Sequence, residues 1–146
     1  MDKEGLKIEI ELLEESSLAR SKPQKGQKPF PDVLLAVPTA EIRSQLSSFI
    51  GTNYPQWSLR HAGDALEAYA RLEQKPADLI ICEFCMPYLS GFGFMKKLNA
   101  DAALKHIPLV MISAEPIKEI MDTNIRLLSD PFNQEELRTV LRQVIA

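Results

Sequence analysis

Hydrophobic and polar positions follow two different schemes along this chain, and the change comes near residue 32. Beyond it, short apolar runs alternate with stretches whose apolar residues recur every three or four positions. Val33–Val37 is an unbroken apolar run, the mark of a strand covered on both faces. Thr39 is placed to cap a helix that puts Ile42, Leu46, Phe49 and Ile50 on one face and stops at Gly51. Trp57, Leu59 and His61 alternate with Ser58 and Arg60, as in an outer strand. Gly63 and Asp64 open a second helix whose buried side is predicted to carry Leu66, Tyr69, Ala70 and Leu72. A strand over 78–83 and a helix near 91–100 with Phe92, Met95 and Leu98 come next. Ile107–Ile112 is another apolar strand, with Pro108 near its start, where a missing donor is tolerated. A short helix near 116–122, a strand near 125–128 and a final helix over 133–145 complete the set.

Strand and helix thus alternate five times, through connections too short for anything but right-handed crossovers. The predicted fold class is α/β: a doubly wound, five-stranded parallel sheet in the order 2-1-3-4-5 with helices on both faces. The first, third and fourth strands should be central and the more polar second strand an edge. In such sheets ligand sites lie at the carboxyl ends of the strands; here those ends are Val37 with Pro38, Glu83 and Ser113.

Residues 1–31 break this scheme. Leu6, Ile8, Ile10 and Leu12 alternate with charged residues, as a half-exposed strand would, although Leu13, Glu14 and Glu15 leave a short helix open. The stretch 21–31 is polar and bears Pro and Gly, with nothing to bury. The expected division is an arm and linker over 1–31, partly disordered or forming a short edge strand that pairs with another chain, and a globular domain over 32–146.

Composition narrows the function. A length of 146 residues suits one domain with a real core. The net charge of −3 argues against nucleic acid or an acidic membrane as a main partner, although Arg20, Lys22, Lys25 and Lys28 cluster near the start. No apolar run approaches the ~20 residues of a membrane helix, and no secretory signal is visible. Cys82 and Cys85 are too close in sequence to staple a fold, so a cytoplasmic location is expected.

The segment from Asp78 to Gly91 is the most specific. An apolar run ends in Glu83, and Met86, Pro87 and Gly91 follow at fixed offsets. With Arg43 on the first helix, Lys105 to Pro108 before the fourth strand, Ser113-Ala114 after it and Pro131-Phe132 before the last helix, it resembles the receiver domain of bacterial two-component response regulators, of the flavodoxin- and CheY-like fold. The resemblance covers Val33 to Ala146. It implies an Asp nucleophile, an acidic pair holding Mg²⁺, a hydroxyl and a Lys that bind phosphate oxygens, and surfaces for protein partners. In this chain the nucleophile position is Glu83, the acidic pair is Val37-Pro38, the hydroxyl is Ser113 and the lysine is Asp130.

Val37 and Pro38 offer no oxygen side chains to a hard cation. If Glu83 and Asp130 lay ~5 Å apart at an effective dielectric of ~20, they would repel by about 3 kcal/mol. Leu127 replaces the usual aromatic reporter, and the interval from Ser113 to Asp130 is short, so the helix within it should be stunted and the partner surface around Leu127, Pro131 and Phe132 altered.

The resulting expectation is a phosphorylation-independent signalling or adaptor module, not an enzyme, which needs no metal or cofactor and acts through a protein partner, with a homodimer an open option. Glu83 either mimics phosphate permanently or is a leftover polar residue, solvated or bonded to loop amides. The alternative is a phosphate-accepting regulator with an atypical pocket. A third reading makes Cys82 and Cys85 a thiol switch. Because the chain ends at Ala146, just past the last helix, it is expected to be either a stand-alone adaptor or a piece of a longer protein.

Overall fold

The computed structural model describes residues 31–117 and 124–145. The arm over 1–30 and most of the short helix expected near 116–122 lie outside these residues. The elements run β1 (Asp32–Ala36), α1 (Ala40–Asn53), β2 (Ser58–Ala62), α2 (Ala65–Gln74), β3 (Leu79–Glu83), α3 (Gly91–Asn99), β4 (Leu109–Ser113), β5 (Ile125–Ser129) and α4 (Gln134–Ile145). All strand pairs are parallel and the order is β2-β1-β3-β4-β5, as the apolar runs imply.

Burial sorts the strands as expected. β1 and β3 are buried throughout, β4 up to its last residue, and the two edges β2 and β5 are mixed. The pleat divides their side chains between two cores. Val33, Leu35, Val37, Leu79, Ile81, Val110 and Ile112 meet α1 and α4 on one face. Leu34, Ala36, Ile80, Cys82 and Met111 meet α2 and α3 on the other. A period of two in fully apolar strands therefore still matters, because it assigns each residue to a face.

Helix details depart from the sequence reading in three places. In α1 the predicted face is the buried one, but the helix continues through Gly51 to Asn53, with Tyr54 as its C-cap. The buried line of α2 is Ala65, Ala68 and Leu72 rather than Leu66 and Ala70, and Leu66 is exposed. Small alanines let the helix backbone close on the sheet, which turns the bulkier Leu66 outward. Phe94, absent from the predicted face of α3, is its most deeply buried aromatic residue. Trp57 precedes β2 and stacks on Tyr54, with ring centroids 4.1 Å apart.

Candidate functional site

The three strand ends singled out in the sequence do converge at one end of the sheet. β3 delivers Glu83 to the centre of that edge, opposite Ile112 of β4. The loop after it folds back through a bond from the Gly91 amide to the Phe84 carbonyl, 2.7 Å. A Cβ at Gly91 would sit 2.7 Å from the Glu83 carbonyl oxygen and 2.9 Å from the Phe84 Cα, closer than real Cβ atoms come. The glycine is there because backbone passes over backbone. Within the same loop Tyr88 is exposed and holds a φ of 71°.

Glu83 is buried, 8% exposed, and both of its carboxylate oxygens are engaged by one residue. Oε2 accepts the Thr39 amide at 2.7 Å, and Oε1 accepts the Thr39 hydroxyl at 2.8 Å. Thr39 is the N-cap of α1, as its sequence position indicates, but its hydroxyl makes no capping bond to its own helix. Instead the carboxylate from β3 satisfies an amide at the helix start and sets a negative charge at the positive end of the helix dipole. The carboxylate is hydrogen-bonded rather than solvated, with a threonine side chain as well as an amide as the donor.

The neighbouring positions are used equally locally. Val37 is fully buried in the α1–α4 core. Its carbonyl oxygen and that of Pro38 accept bonds from Arg43 Nη1, at 2.9 and 3.4 Å. The Ser113 hydroxyl donates to the Glu115 carbonyl at 2.8 Å and accepts the Glu115 amide at 3.1 Å, closing a tight turn of its own loop. The Asp130 amide bonds to the Ser113 carbonyl at 2.9 Å, and the Asp130–Pro131 peptide is cis.

Two expectations are corrected by this arrangement. Ile112 lies between Glu83 and Leu128 in register, so Asp130 is two residues beyond a position two strands away. At about 4.8 Å per strand the backbones stand about 10 Å apart or more, and Glu83 turns towards β1. The ~5 Å separation assumed for the carboxylate repulsion is not adopted. Phe132, assigned to an interaction surface, is buried in the α1–α4 core, and its carbonyl accepts from Gln45 at 3.3 Å. Leu127 and Pro131 are exposed.

The cysteines occupy opposite environments. Cys82 lies in the α2–α3 core, and burial, with a smaller contribution from the adjacent Glu83 charge, pushes its thiol far above the ordinary range. Cys85 is exposed in the loop. A thiol held protonated in an apolar core is a poor nucleophile. Among the described residues no group of His, Cys, Asp and Glu side chains is arranged to hold a metal ion.

Residues 33–142 match the profile of the response regulator receiver domain. The chain belongs to this family. It is 30% identical over 90 residues to Response regulator Rre1 of Synechocystis, a match covering 58% of this chain and 39% of that protein. The chemotaxis response regulator CheY4 of Vibrio cholerae superposes with a TM-score of 0.67 at 27% identity, over 78% of this chain and 98% of that one. The receiver domain of sensor histidine kinase PA1611 from Pseudomonas aeruginosa, which holds a magnesium ion in its active-site cleft, superposes with a TM-score of 0.69 at 17% identity, over 80% and 98%. The match to Response regulator Rre1 takes in less than half the length of that relative. Receivers are modules of two-component signalling that interact with other signalling proteins such as kinases. No helix of the described residues is long and apolar enough to cross a membrane.

Thr39 and Arg43 are the residues that sequence reading left without a role at the site. Thr39 was legible only as a helix cap. Its pairing with Glu83 spans 44 residues and depends on β1 lying beside β3. The usable signal is the Asp-to-Glu change itself, since one extra methylene lets the carboxylate reach across to the next loop.

Proposed function

We propose that this receiver works without taking up a phosphoryl group, as a bacterial, cytoplasmic adaptor module of two-component signalling that acts by protein–protein contact. The observation that carries the reading is the tied state of Glu83: each carboxylate oxygen accepts a bond from Thr39, which holds the group towards the start of α1 and lowers its readiness to act as a nucleophile. The magnesium site implied by the family does not fit the residues present. Position 37 is a core valine, position 38 a proline, and their carbonyl oxygens are held by the Arg43 guanidinium, which brings positive charge to the place a cation would need. Ser113 spends its hydroxyl on its own turn. Glu83 is then a structural tie between β3 and α1, and the exposed Leu127 and Pro131 belong to the partner surface. We assign residues 1–31 to a separate arm and 32–146 to the receiver domain.

Incubation of the full chain with a small acyl phosphate and Mg²⁺, followed by intact-mass analysis, tests the reading. The expected mass is unchanged. A stable gain of one phosphoryl group would establish the alternative of a phosphate-accepting regulator.

A further inference from the structure

An open cleft of about 520 Å³ lies beside the Glu83 site, between the first half of α1 and the β2–α2 turn. It arises because the loop after β1 enters α1 on one face of the sheet while the loop after β2 enters α2 on the other. Its volume is in the range of sites for small organic ligands.

The lining is cationic in a chain that is acidic as a whole. Arg43 is half-buried at the cleft, and among the described residues its partners are the two carbonyl oxygens of Val37 and Pro38, both through Nη1. Carbonyl bonds orient a guanidinium but do not neutralise it, and among the described residues Nε and Nη2 are without a partner. Arg71 also lines the cleft and is braced by Glu67 at 2.8 Å. Both Glu67 oxygens are engaged, since the other accepts the Gly63 amide at 2.8 Å. That bond and the Arg71 contact hold its carboxyl below the ordinary range, so it stays charged and keeps Arg71 in place. Among the described residues of the lining, two guanidinium groups against one carboxylate leave one positive charge uncompensated. Ser44 and Ser47, one turn apart on α1, add hydroxyls, and His61 adds an imidazole at the end of β2.

We infer that this cleft binds a small tetrahedral oxyanion of the phosphate-monoester class, with Arg43 and Arg71 as the charged donors and Ser44 and Ser47 as neutral ones. Guanidinium groups pair with several oxygens of such an ion at once, and the volume leaves space for the organic part of an ester. The assignment is independent of the role of Glu83.

The test is a two-dimensional ¹H–¹⁵N titration of the full chain at constant ionic strength with inorganic phosphate, with phosphoserine and with chloride. Saturable shifts centred on Arg43, Ser44 and Gly63 are expected with phosphate or phosphoserine and not with chloride. Tighter binding of phosphoserine assigns an ester; equal binding assigns the free ion. Arg43→Gln and Arg71→Gln should each weaken binding about tenfold or more, whereas Lys105→Gln, an equal charge change elsewhere, should not. Because Arg43 also holds two carbonyl groups, the exposed Arg71 provides the variant that does not depend on them. Shifts that fail to saturate, match those of chloride, or persist at full strength in Arg71→Gln overturn the assignment.

Discussion

The carboxylate of Glu83 and the N-cap Thr39 form a two-point hydrogen bond that joins the end of β3 to the start of α1, at 2.7 and 2.8 Å. Charge-assisted bonds of this kind are about twice as strong as neutral ones, and a buried carboxylate that loses a donor bears the full cost of desolvation. Thr39→Val keeps the shape and removes the hydroxyl, so it should destabilise the domain by about 1–3 kcal/mol in urea unfolding. Glu83→Gln replaces an acceptor by a donor facing the same hydroxyl and should cost a similar amount. The double variant should be less than additive by about 1 kcal/mol or more. Full additivity would mean that the two residues do not act as a pair.

Restoring the family's nucleophile alone should not restore its chemistry. Glu83→Asp withdraws the carboxylate from Thr39 by one methylene, so the domain should lose stability. It should still show no phosphoryl gain with acyl phosphate and Mg²⁺, because positions 37 and 38 supply no oxygen side chains. Phosphorylation of this variant would show that the cleft still recruits the metal by another route.

Asp130→Lys is expected to change stability by no more than about 0.5 kcal/mol, as for surface substitutions generally. Direct repulsion from Glu83 would instead have made the lysine stabilising by a few kcal/mol. Thermal melts of the two proteins in low salt separate these outcomes.

Gly91→Ala should be among the most damaging single-methyl additions in this chain. Its Cβ would meet the backbone of Glu83 and Phe84, and backbone cannot swing aside as a side chain can. A loss of about 1–3 kcal/mol is expected. An unchanged midpoint would mean that the loop over β3 relaxes freely.

Tyr69 and Asp101 give the domain a pH signature. The Tyr69 hydroxyl donates to Asp101 at 2.6 Å, and this bond, with a smaller part from burial, pushes the phenol up from 10.0 to about 12. The folded state therefore favours the protonated phenol. Its contribution to stability is full below pH 10 and is lost as pH rises towards 12. Asp101 is shifted the other way, chiefly by the same bond and next by the Ala103 amide. Its contribution is present above its ordinary value of 3.8 and is lost as pH falls through the lower folded value. In an absorbance titration at about 295 nm, Asp101→Asn should bring the late-titrating phenol back towards the ordinary tyrosine value of about 10.

The order of the described elements, the parallel sheet and the placing of Glu83 at the end of β3 were all legible in the residue pattern. Unbroken apolar runs and three-to-four-residue spacing report local exposure, and each is written within a few neighbours. The α2 face was misread because Leu66 and Ala70 fit a three-to-four-residue helical period as well as Ala65, Ala68 and Leu72 do, and only packing on the sheet decides which set is buried. Phe132 follows a polar loop and gave no sign that it folds back into the α1–α4 core. The chemistry of the site depended still more on the folded state. Whether Glu83 faced water, Asp130 or Thr39 turned on strand register and side-chain direction across 44 residues of chain. A hydrogen bond needs its partners within a few tenths of an ångström, and local sequence carries no record of that distance.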